Sequence, residues 1–594
     1  MNPPVSLVPV LPDSAPFTPE QRAYLNGFLA GLFSYAPASA AGAAAGTAAS
    51  TRLQPLTIVF GSQTGTAEKL ARRMAKEAGK RGFAATVQDL VSYPIASLAT
   101  EQNLLVITST YGDGEPPDNA RGFADALKST ALPSLATVRY SVCGLGDTNY
   151  AKFCGFAREL DARLKQLGAV RVLPRTECDV DYEASFSAWL GQALTSLNTA
   201  GSASAIPTTS VDSTEPAPAP RGYDRQNPFR SRLVANRRLN APGSEKDVRH
   251  LELSLEGSDL SYEVGDALGV VPRNDPELVD ELLRQLHATG TETVSGSDGK
   301  MIPVRDALLT VHEITRVPSP LLQWMAKRTG DATLARVAAP DANGELTQFL
   351  RGREIVDLLA AFPDSGLTVA EFVPLLRKLQ PRLYSISSSL KAHPGRVHLT
   401  VGTVRYESLG RRRLGVCSTF LADRTQEATE VLIFVHRNTS FRPPAPDQAL
   451  IMVGPGTGIA PFRAFLQERR ATGAAGRNWL FFGDQRAGSD YLYQEEISAY
   501  QNDGLLNRLD LAWSRDQGQK VYVQDRMRAA ADELWQWLDA GAAFYVCGDA
   551  SRMARDVETT LLEIIQSAGS RTPEGAREYL QQMKSGRRYQ RDVY

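Results

Sequence analysis

The sequence predicts a multidomain α/β plus β-barrel chain, with two parallel-sheet domains flanking an antiparallel barrel that a helical insertion interrupts. Three observations predict it. The chain has 594 residues, which at roughly 100–200 residues per domain corresponds to three to five domains. Residues 53–198 and 446–594 alternate short apolar strands with helical stretches, the mark of parallel sheets covered by helices. Residues 229–272 and 380–445 instead carry short alternating strands separated by turns, as in an antiparallel barrel, and residues 273–379 between them are mostly helical in pattern (PELVDELLRQLHA, PSPLLQWMAKR, TVAEFVPLLRKL).

Composition narrows the function. Hydrophobic residues make up 43% and charged residues 22%, ordinary for a soluble globular protein. With 65 Lys+Arg against 66 Asp+Glu the net charge is −1, so no global field steers the chain to nucleic acid or anionic lipid. The five cysteines (Cys143, Cys154, Cys178, Cys417, Cys547) form no C-x-x-C pair, so neither a disulfide framework nor a cysteine-ligated metal site is indicated, and no metal is expected. No charged n-region of a signal peptide precedes Arg22, and no stretch reaches the ~20 apolar residues of a membrane span. A reduced, cytoplasmic protein without nucleic-acid or membrane partners is expected.

Along the chain, Thr18 as N-cap, Pro19 at the first helical position and Gln21 as the capping-box partner open one short helix. Leu25, Phe28, Leu29, Leu32 and Phe33 give it a single apolar stripe, which either docks on its own chain or serves as an oligomerisation handle. The Ala/Gly/Ser-rich stretch 36–51 and the Pro/Ser/Thr/Ala-rich stretch 199–220 lack the apolar mass to pack and read as linkers, the second separating domains as part of a flexible segment 199–228.

The first α/β region, 53–198, opens with LTIVF-GSQTGTAE (56–68), a strand, a hydroxyl-rich loop and a helix start. The first turn of such a helix offers unpaired N–H groups and a positive dipole end, which together hold a phosphate. A Walker loop would place Lys-Ser/Thr after its last glycine, whereas Gly65 is followed by Thr66 and Ala67, against an NTPase. Ser62, Thr64 and Thr66 surround the anion with hydroxyls and no cation. STYGDGEPPDNA (109–120) and CGLGDTNYAKFC (143–154) each follow an apolar strand, so both loops emerge at the same carboxyl edge. There Tyr111 and Tyr150 are placed to stack on opposite faces of a flat ring, with Asp113, Glu115 and Asp147 disfavouring its anionic form.

These three loops resemble the flavodoxin domain. The resemblance implies that Ser62, Gln63, Thr64, Gly65, Thr66 and Ala67 hold the FMN phosphate. It also implies that Ser109, Thr110, Tyr111 and Gly112, with Leu145, Gly146, Asp147, Thr148, Asn149, Tyr150, Ala151, Lys152, Phe153 and Cys154, cradle the isoalloxazine.

In the barrel, RLYSISSS (382–389) puts a cation, an aromatic ring and a hydroxyl on one short strand. Arg382 suits a pyrophosphate, Tyr384 an apolar ring and Ser385 a ring nitrogen. TVGTVRY (400–406) follows, and GVCSTFL (415–421) adds a second turn entering a helix, again a phosphate-holding geometry. Together they resemble the FAD-binding barrel of the ferredoxin–NADP reductase family. The likeness implies FAD contacts at Arg382, Leu383, Tyr384 and Ser385, at Thr400, Val401, Gly402 and Tyr406, and at Gly415, Val416, Cys417 and Ser418. Val416 and Cys417 stand where that family commonly has smaller residues, so contacts there run through backbone.

The last region contains ALIMVGPGTGIAPF (449–462), where Gly454, Gly456 and Gly458 allow backbone to approach a pyrophosphate. The pattern G-x-G-x-G-x-x-P differs from the G-x-G-x-x-G fingerprint. Arg515 follows Ser514 where an NAD site would place an acid, and Lys520, Tyr522 and Gln524 follow, a combination that suits a 2′-phosphate and favours NADPH over NADH. The ferredoxin–NADP reductase likeness extends these contacts to Thr457, Val521, Val523 and Asp556. It also places Cys547 of YVCGD opposite the nicotinamide.

The order flavodoxin-like sheet, linker, FAD-binding barrel with helical insertion, and ferredoxin–NADP reductase-like nucleotide domain resembles the diflavin reductases. Within them NWLFFG, LAWSRDQ, KVYVQD, YVCGD and the terminal YQRDVY are most similar to the flavoprotein components of bacterial assimilatory sulfite reductases. That likeness implies a path from NADPH through FAD to FMN, with hydride in and single electrons out. It assigns a polar catalytic cluster to Ser385, Cys547 and Asp592, and makes Tyr594 a cover over the FAD ring that yields to nicotinamide. It also implies a separate sirohaem/iron–sulfur haemoprotein subunit that reduces sulfite to sulfide in cysteine biosynthesis. A diflavin reductase with another haem or iron–sulfur acceptor, and a non-catalytic scaffold that kept the fold, are the alternatives.

Overall fold

The computed structural model describes residues 53–62, 65–111, 114–128, 132–147, 152–199, 222–296, 299–339, 343–550 and 552–594. The expected N-terminal helix, the linker stretch 36–51, residues 200–221 of the second linker, Asp113, and Gln63, Thr64, Gly112, Thr148, Asn149, Tyr150 and Ala151 lie outside these residues, whereas Thr199 ends helix Glu183–Thr199.

The first sheet is built from β1 (Gln54–Gly61), β2 (Phe83–Asp89), β3 (Asn103–Ser109), β4 (Arg139–Leu145), β5 (Val170–Arg171) and β6 (Thr176–Cys178). Its order is β2-β1-β3-β4-β5, with β6 also on β4, and every pairing is parallel. The central strands are near-continuous apolar runs because both faces are covered. Leu56, Ile58 and Phe60 of β1 face helices Thr66–Lys80 and Glu183–Thr199, while Val59 faces helices Arg121–Leu127 and Gly155–Gln166. All phosphate-loop candidates of this domain therefore sit at the carboxyl ends of β1, β3 and β4.

The barrel strands are β7 (Phe229–Arg238), β8 (Val248–Ser254) and β9 (Ala267–Val271), and, after the insertion, β12 (Arg382–Ser385), β13 (Arg396–Gly402) and β16 (Glu430–His436). They pair antiparallel in the order β12-β9-β16-β7-β8-β13. A bridge between Ile386 and Leu399 brings the end of β12 back to β13 and closes the ring. A side hairpin, β14 (Arg405–Ser408) with β15 (Arg411–Leu414), leads into helix Val416–Asp423. The insertion has its own apolar core, with Val279, Leu282, Leu308, Leu321, Met325 and Phe372 inside. It also holds a short hairpin, β10 (Thr293–Ser295) with β11 (Met301–Pro303), which the helical pattern did not predict because three-residue strands are too short to show a period of two.

The last sheet is parallel, in the order β19 (Arg508–Trp513), β18 (Asn478–Asp484), β17 (Leu450–Val453), β20 (Ala543–Gly548), β21 (Tyr589–Val593). Its final strand is the end of the chain. Tyr589 and Val593 point into the apolar core, so burial rather than fraying fixes the terminus. Residues Gln54–Tyr594 form one compact unit. No helix among the described residues is long and apolar enough to cross a membrane.

Candidate functional site

At the first edge, Gly65 takes the left-handed conformation (φ 85°) that turns the chain into helix Thr66–Lys80, whose start has no side-chain cap. Ser62 closes the turn. Its Oγ accepts from the Ala67 N–H at 3.2 Å, and its own N–H donates to Asn119 Oδ1 at 2.8 Å. Ser109 Oγ donates to the Gly61 carbonyl at 3.4 Å. Thr110 Oγ1 and Tyr111 Oη are buried without a partner among the described residues, polar groups of the kind a bound flavin and its phosphate satisfy. Below them Leu145 and Cys154 are buried, and Cys143 Sγ lies 3.7 Å from Cys178 Sγ. The Cys178 contact and burial push the Cys143 thiol up, and burial pushes Cys154 up to about 12, so both stay protonated. Gly146 packs under Phe153, and Lys152 packs against Gly114, where an added Cβ would come within 2.6 Å of Lys152 Cβ. Thr66, Asp147 and Lys152 are engaged in polar interactions of their own.

On the barrel, Arg382 opens β12. Its Nη1 donates to the Gln380 carbonyl at 2.6 Å and its Nη2 to Glu313 Oε2 at 3.1 Å. Helix Val416–Asp423 begins at Gly415 with no side-chain cap, so its first N–H groups are available to an anion. Ser418 Oγ instead turns back to accept from the Val404 N–H at 3.1 Å. Tyr384 packs on the barrel core and its hydroxyl interacts with Cys417. Leu383 and Tyr406 are about half exposed, at 49% and 50%. Thr400 and Val401 point elsewhere. The Thr400 hydroxyl bonds Tyr493 Oη at 2.7 Å, and Val401 is buried in the barrel core, so only their backbone remains for a ligand. Gly402 lies at the joint with the glycine-rich turn, where an added Cβ would sit 3.4 Å from Thr457 Cγ2.

At the last edge, close packing enforces the glycines. A Cβ on Gly454 would fall 2.5 Å from the Gly458 carbonyl oxygen, and one on Gly458 would fall 2.2 Å from that of Cys547. Gly456 is left-handed, φ 59°. The cationic side is organised before any ligand arrives: Arg515 Nη1 pairs with Glu245 Oε2 at 2.6 Å, and the Lys246 ammonium pairs with the buried Asp484. Ser514 Oγ donates to the Asp484 carbonyl at 3.3 Å and Lys520 is exposed. Gln524 Nε2 reaches Asp556 Oδ2 at 3.3 Å. Tyr522 is exposed and caps helix Val523–Ala529, whereas Val523 is buried and Val521 packs against the same core, so those two lack free side chains.

The three edges meet. The β20–β21 register places Cys547 opposite Asp592, and Ser385 Oγ of the barrel donates to Asp592 Oδ2. Burial pushes the Asp592 carboxyl up, partly offset by that hydrogen bond, and burial likewise pushes the Cys547 thiol up. Thr457 Oγ1 and Tyr594 Oη are 2.8 Å apart, and the Tyr594 backbone is tied to Gly548 and Ala550. Tyr594 is 62% exposed beside this cluster. Tyr111 of the first edge packs against the last sheet's core, close enough to Asp592 and Arg591 to feel their charges. Glu115 pairs with Arg555, and Gly65 lies against Thr439, whose Oγ1 would be 3.2 Å from an added Cβ. The first edge thus faces the Ser385–Asp592–Cys547 cluster through Tyr111 of its second loop.

Family models agree with this geometry: flavodoxin over residues 58–189, FAD binding domain over 221–420 and oxidoreductase NAD-binding domain over 452–559. The chain is 44% identical over 584 residues to the sulfite reductase (NADPH) flavoprotein alpha-component of Bacillus subtilis, covering 97% of this chain and 96% of the relative. It is 40% identical to that of Serratia proteamaculans, covering 100% and 99%, and 43% identical to that of Neisseria meningitidis serogroup A, covering 98% of each. The chain belongs to the sulfite reductase (NADPH) flavoprotein alpha-component family. Its domains bind FMN, FAD and a nicotinamide dinucleotide, and it is a diflavin oxidoreductase. The donor sets fit these groups: hydroxyls and an uncapped helix at the first edge, arginine and an uncapped helix at the barrel, tight glycines with cations at the last.

Several site residues escaped the sequence reading. Asn119 stands in the acid- and proline-rich second loop, and its amide role at Ser62 carries no motif. Glu245 and Lys246 come from the β7–β8 turn, far in sequence from the nucleotide domain they touch. Glu313 is hidden in the helical insertion; its only signal is one acid within the apolar run V-H-E-I. His250, Glu252 and His398 also converge, with His250 Nε2 3.3 Å from Glu252 Oε1 and His398 Nε2 3.6 Å from Oε2. Arg396 and Arg463 flank them. Burial first, then the Arg463 charge, holds His250 down to about 4 and His398 to about 2. The two guanidinium charges oppose a metal dication there.

Proposed function

We propose that this chain is the electron-supplying component of an assimilatory sulfite reductase. In that reading it takes hydride from NADPH and passes single electrons to a separate sirohaem/iron–sulfur haemoprotein in the cytoplasm, which reduces sulfite to sulfide for cysteine biosynthesis. The observation that carries it is the convergence of the first edge, through Tyr111, on the Ser385–Asp592–Cys547 cluster, in a chain whose relatives bear the sulfite reductase name along their whole length. When bound, the flavins turn a two-electron donor into a one-electron supply.

The residues divide the work. Arg515 and Lys520 bind a 2′-phosphate, and Gly454, Gly456 and Gly458 admit the pyrophosphate. Thr457 holds Tyr594 at the position from which it yields to nicotinamide. Ser385 orients the Asp592 carboxylate, and with Cys547 they stabilise charge at the reacting carbon. Arg382 and the first turn of helix Val416–Asp423 would hold the FAD pyrophosphate, with Tyr384 a candidate for its ring. Ser62, Thr66 and the helix N-terminus would hold the FMN phosphate, and Thr110 and Tyr111 would take its ring.

Sulfite reduction to sulfide takes six electrons, and the cysteines here are scattered, with three in the first domain and one in each of the others. They supply no four-thiolate set for an iron–sulfur cluster, so the terminal chemistry belongs to a partner. The Pro/Ser/Thr/Ala-rich composition of 199–220 supports a linker role in passing electrons from the first domain to that partner.

The test is anaerobic sulfide formation from NADPH and sulfite, with the chain alone and with the sirohaem protein of the same organism. Sulfide only in the mixture supports the assignment. No sulfide despite rapid NADPH-dependent ferricyanide reduction overturns it in favour of another acceptor. Shortening 199–220 should slow delivery to the haemoprotein and spare ferricyanide reduction.

A further inference from the structure

The helical insertion meets the barrel at several ion pairs, among them Arg413 with Glu354 and Asp357, and at β12 through Glu313 and Arg382. Glu313 lies between helices Val304–Thr310 and Ser319–Thr329 with only 1% of its side chain exposed. A carboxylate so deeply buried is costly unless its oxygens are used. Here both are. One oxygen accepts from the Thr315 N–H at 2.9 Å and the Thr315 hydroxyl at 2.5 Å, and the other accepts from Arg382 Nη2 at 3.1 Å. Its backbone is fixed as well, with the Glu313 N–H donating to the Arg377 carbonyl at 2.9 Å. Burial opposes ionisation, but the Thr315 hydrogen bonds and the Arg382 charge outweigh it, so the carboxyl stays ionised.

Seen from Arg382, Glu313 and the Gln380 carbonyl occupy two of the guanidinium's nitrogens. Arg382 remains 31% exposed, and its charge is felt at Cys417, the second residue of the uncapped helix Val416–Asp423. An unrestrained arginine loses rotamer entropy on binding an anion, and fixing its planar fork beforehand removes that cost.

We propose that Glu313 is a positioning residue for FAD: its carboxylate, locked by Thr315, holds Arg382 in the orientation that receives the FAD pyrophosphate. The insertion thereby contributes to flavin retention without touching the flavin. This rests on the reading of Arg382 as a pyrophosphate ligand.

The protein provides its own control, because FMN binds at a separate site in the same chain. FAD and FMN per chain, and the FAD dissociation constant from flavin fluorescence, are measured on the full-length chain for Arg382→Ala, Glu313→Ala, Glu313→Gln and Thr315→Val. Glu313→Ala is expected to weaken FAD at least tenfold with FMN per chain unchanged. Glu313→Gln keeps an accepting oxygen for Arg382 but turns its NH2 to the Thr315 N–H, so it should cost about as much as Thr315→Val and clearly less than Glu313→Ala. Thr315→Val loosens the carboxylate and should cost two- to fivefold, giving a reading even where Glu313→Ala fails to fold. The proposal is overturned by parent-like FAD affinity in Glu313→Ala or in Thr315→Val, by equal losses in Ala and Gln, or by parallel loss of FMN. Parent-like FAD affinity in Arg382→Ala overturns the underlying site reading instead.

Discussion

The two parallel sheets at the ends of the chain use one device, a strand running into a turn and an uncapped helix start, and surround it with opposite chemistry. At the first edge the groups are hydroxyls and an amide, Ser62, Thr110, Tyr111 and Asn119, with Glu115 nearby. At the last they are cations, Lys246, Arg515 and Lys520, two of them already paired with Asp484 and Glu245. Hydroxyls and backbone N–H groups grip through short-range geometry, which suits a group that stays. Exposed cations act over about 10 Å and exchange partners easily, which suits a polyanion that comes and goes. The difference teaches that the shared turn fixes where a phosphate binds, while its neighbours fix how long it remains.

The harshest way to break the comparison is at the glycines. Gly458→Ala drives a methyl into the Cys547 carbonyl and should cost about 3 kcal/mol of stability together with nucleotide binding. Gly65→Ala meets only the Thr439 hydroxyl and a left-handed φ, about 1 kcal/mol. Denaturant titration of both variants, with 2′,5′-ADP binding for the first, measures the contrast.

Next in size is the cluster between the edges. Asp592→Asn should slow NADPH-dependent flavin reduction roughly 10- to 1,000-fold, by analogy with other transition-state hydrogen-bond partners, and leave both flavins bound; stopped-flow absorbance reports it. Arg515→Ala should raise KM for NADPH about 10- to 100-fold, the loss of a charge-assisted hydrogen bond, and barely change KM for NADH. Added salt should mimic the substitution for NADPH and leave FMN retention untouched.

The remaining effect is set by pH and lies at the barrel–nucleotide joint. His250 and His398 titrate in the fold at about 4 and about 2, below the ordinary 6.5. The unfolded chain therefore binds protons that the fold refuses. Stability is full above pH 6.5 and falls as the pH drops below it, by up to about 1.4 kcal/mol per pH unit for each histidine. The loss levels off for His250 near pH 4. His398→Gln should flatten urea-midpoint profiles between pH 6.5 and 4.5.

Strand–helix alternation, the glycine turns and the terminal YQRDVY were legible in the sequence because they are local. A strand running into a glycine turn carries its chemistry within a dozen residues, as Gly454 to Gly458 and Ser62 to Ala67 do. What stayed hidden is long-range: Glu313 bonds Arg382 across 69 residues and Glu245 bonds Arg515 across 270, and no local pattern announces such pairs. Thr400 shows the converse. It stands in a ligand-like string, yet strand alternation turns its hydroxyl to Tyr493 on the outer face of the barrel.

The central claim is that hydride enters at the last edge and electrons leave for the haemoprotein only through the first. FMN-depleted chain, with FAD retained, tests it most directly, by anaerobic NADPH-dependent reduction of the sirohaem protein and of ferricyanide in parallel. The account predicts that haemoprotein reduction falls to background, ferricyanide reduction continues, and added FMN restores the first. Undiminished haemoprotein reduction by the depleted chain would contradict it.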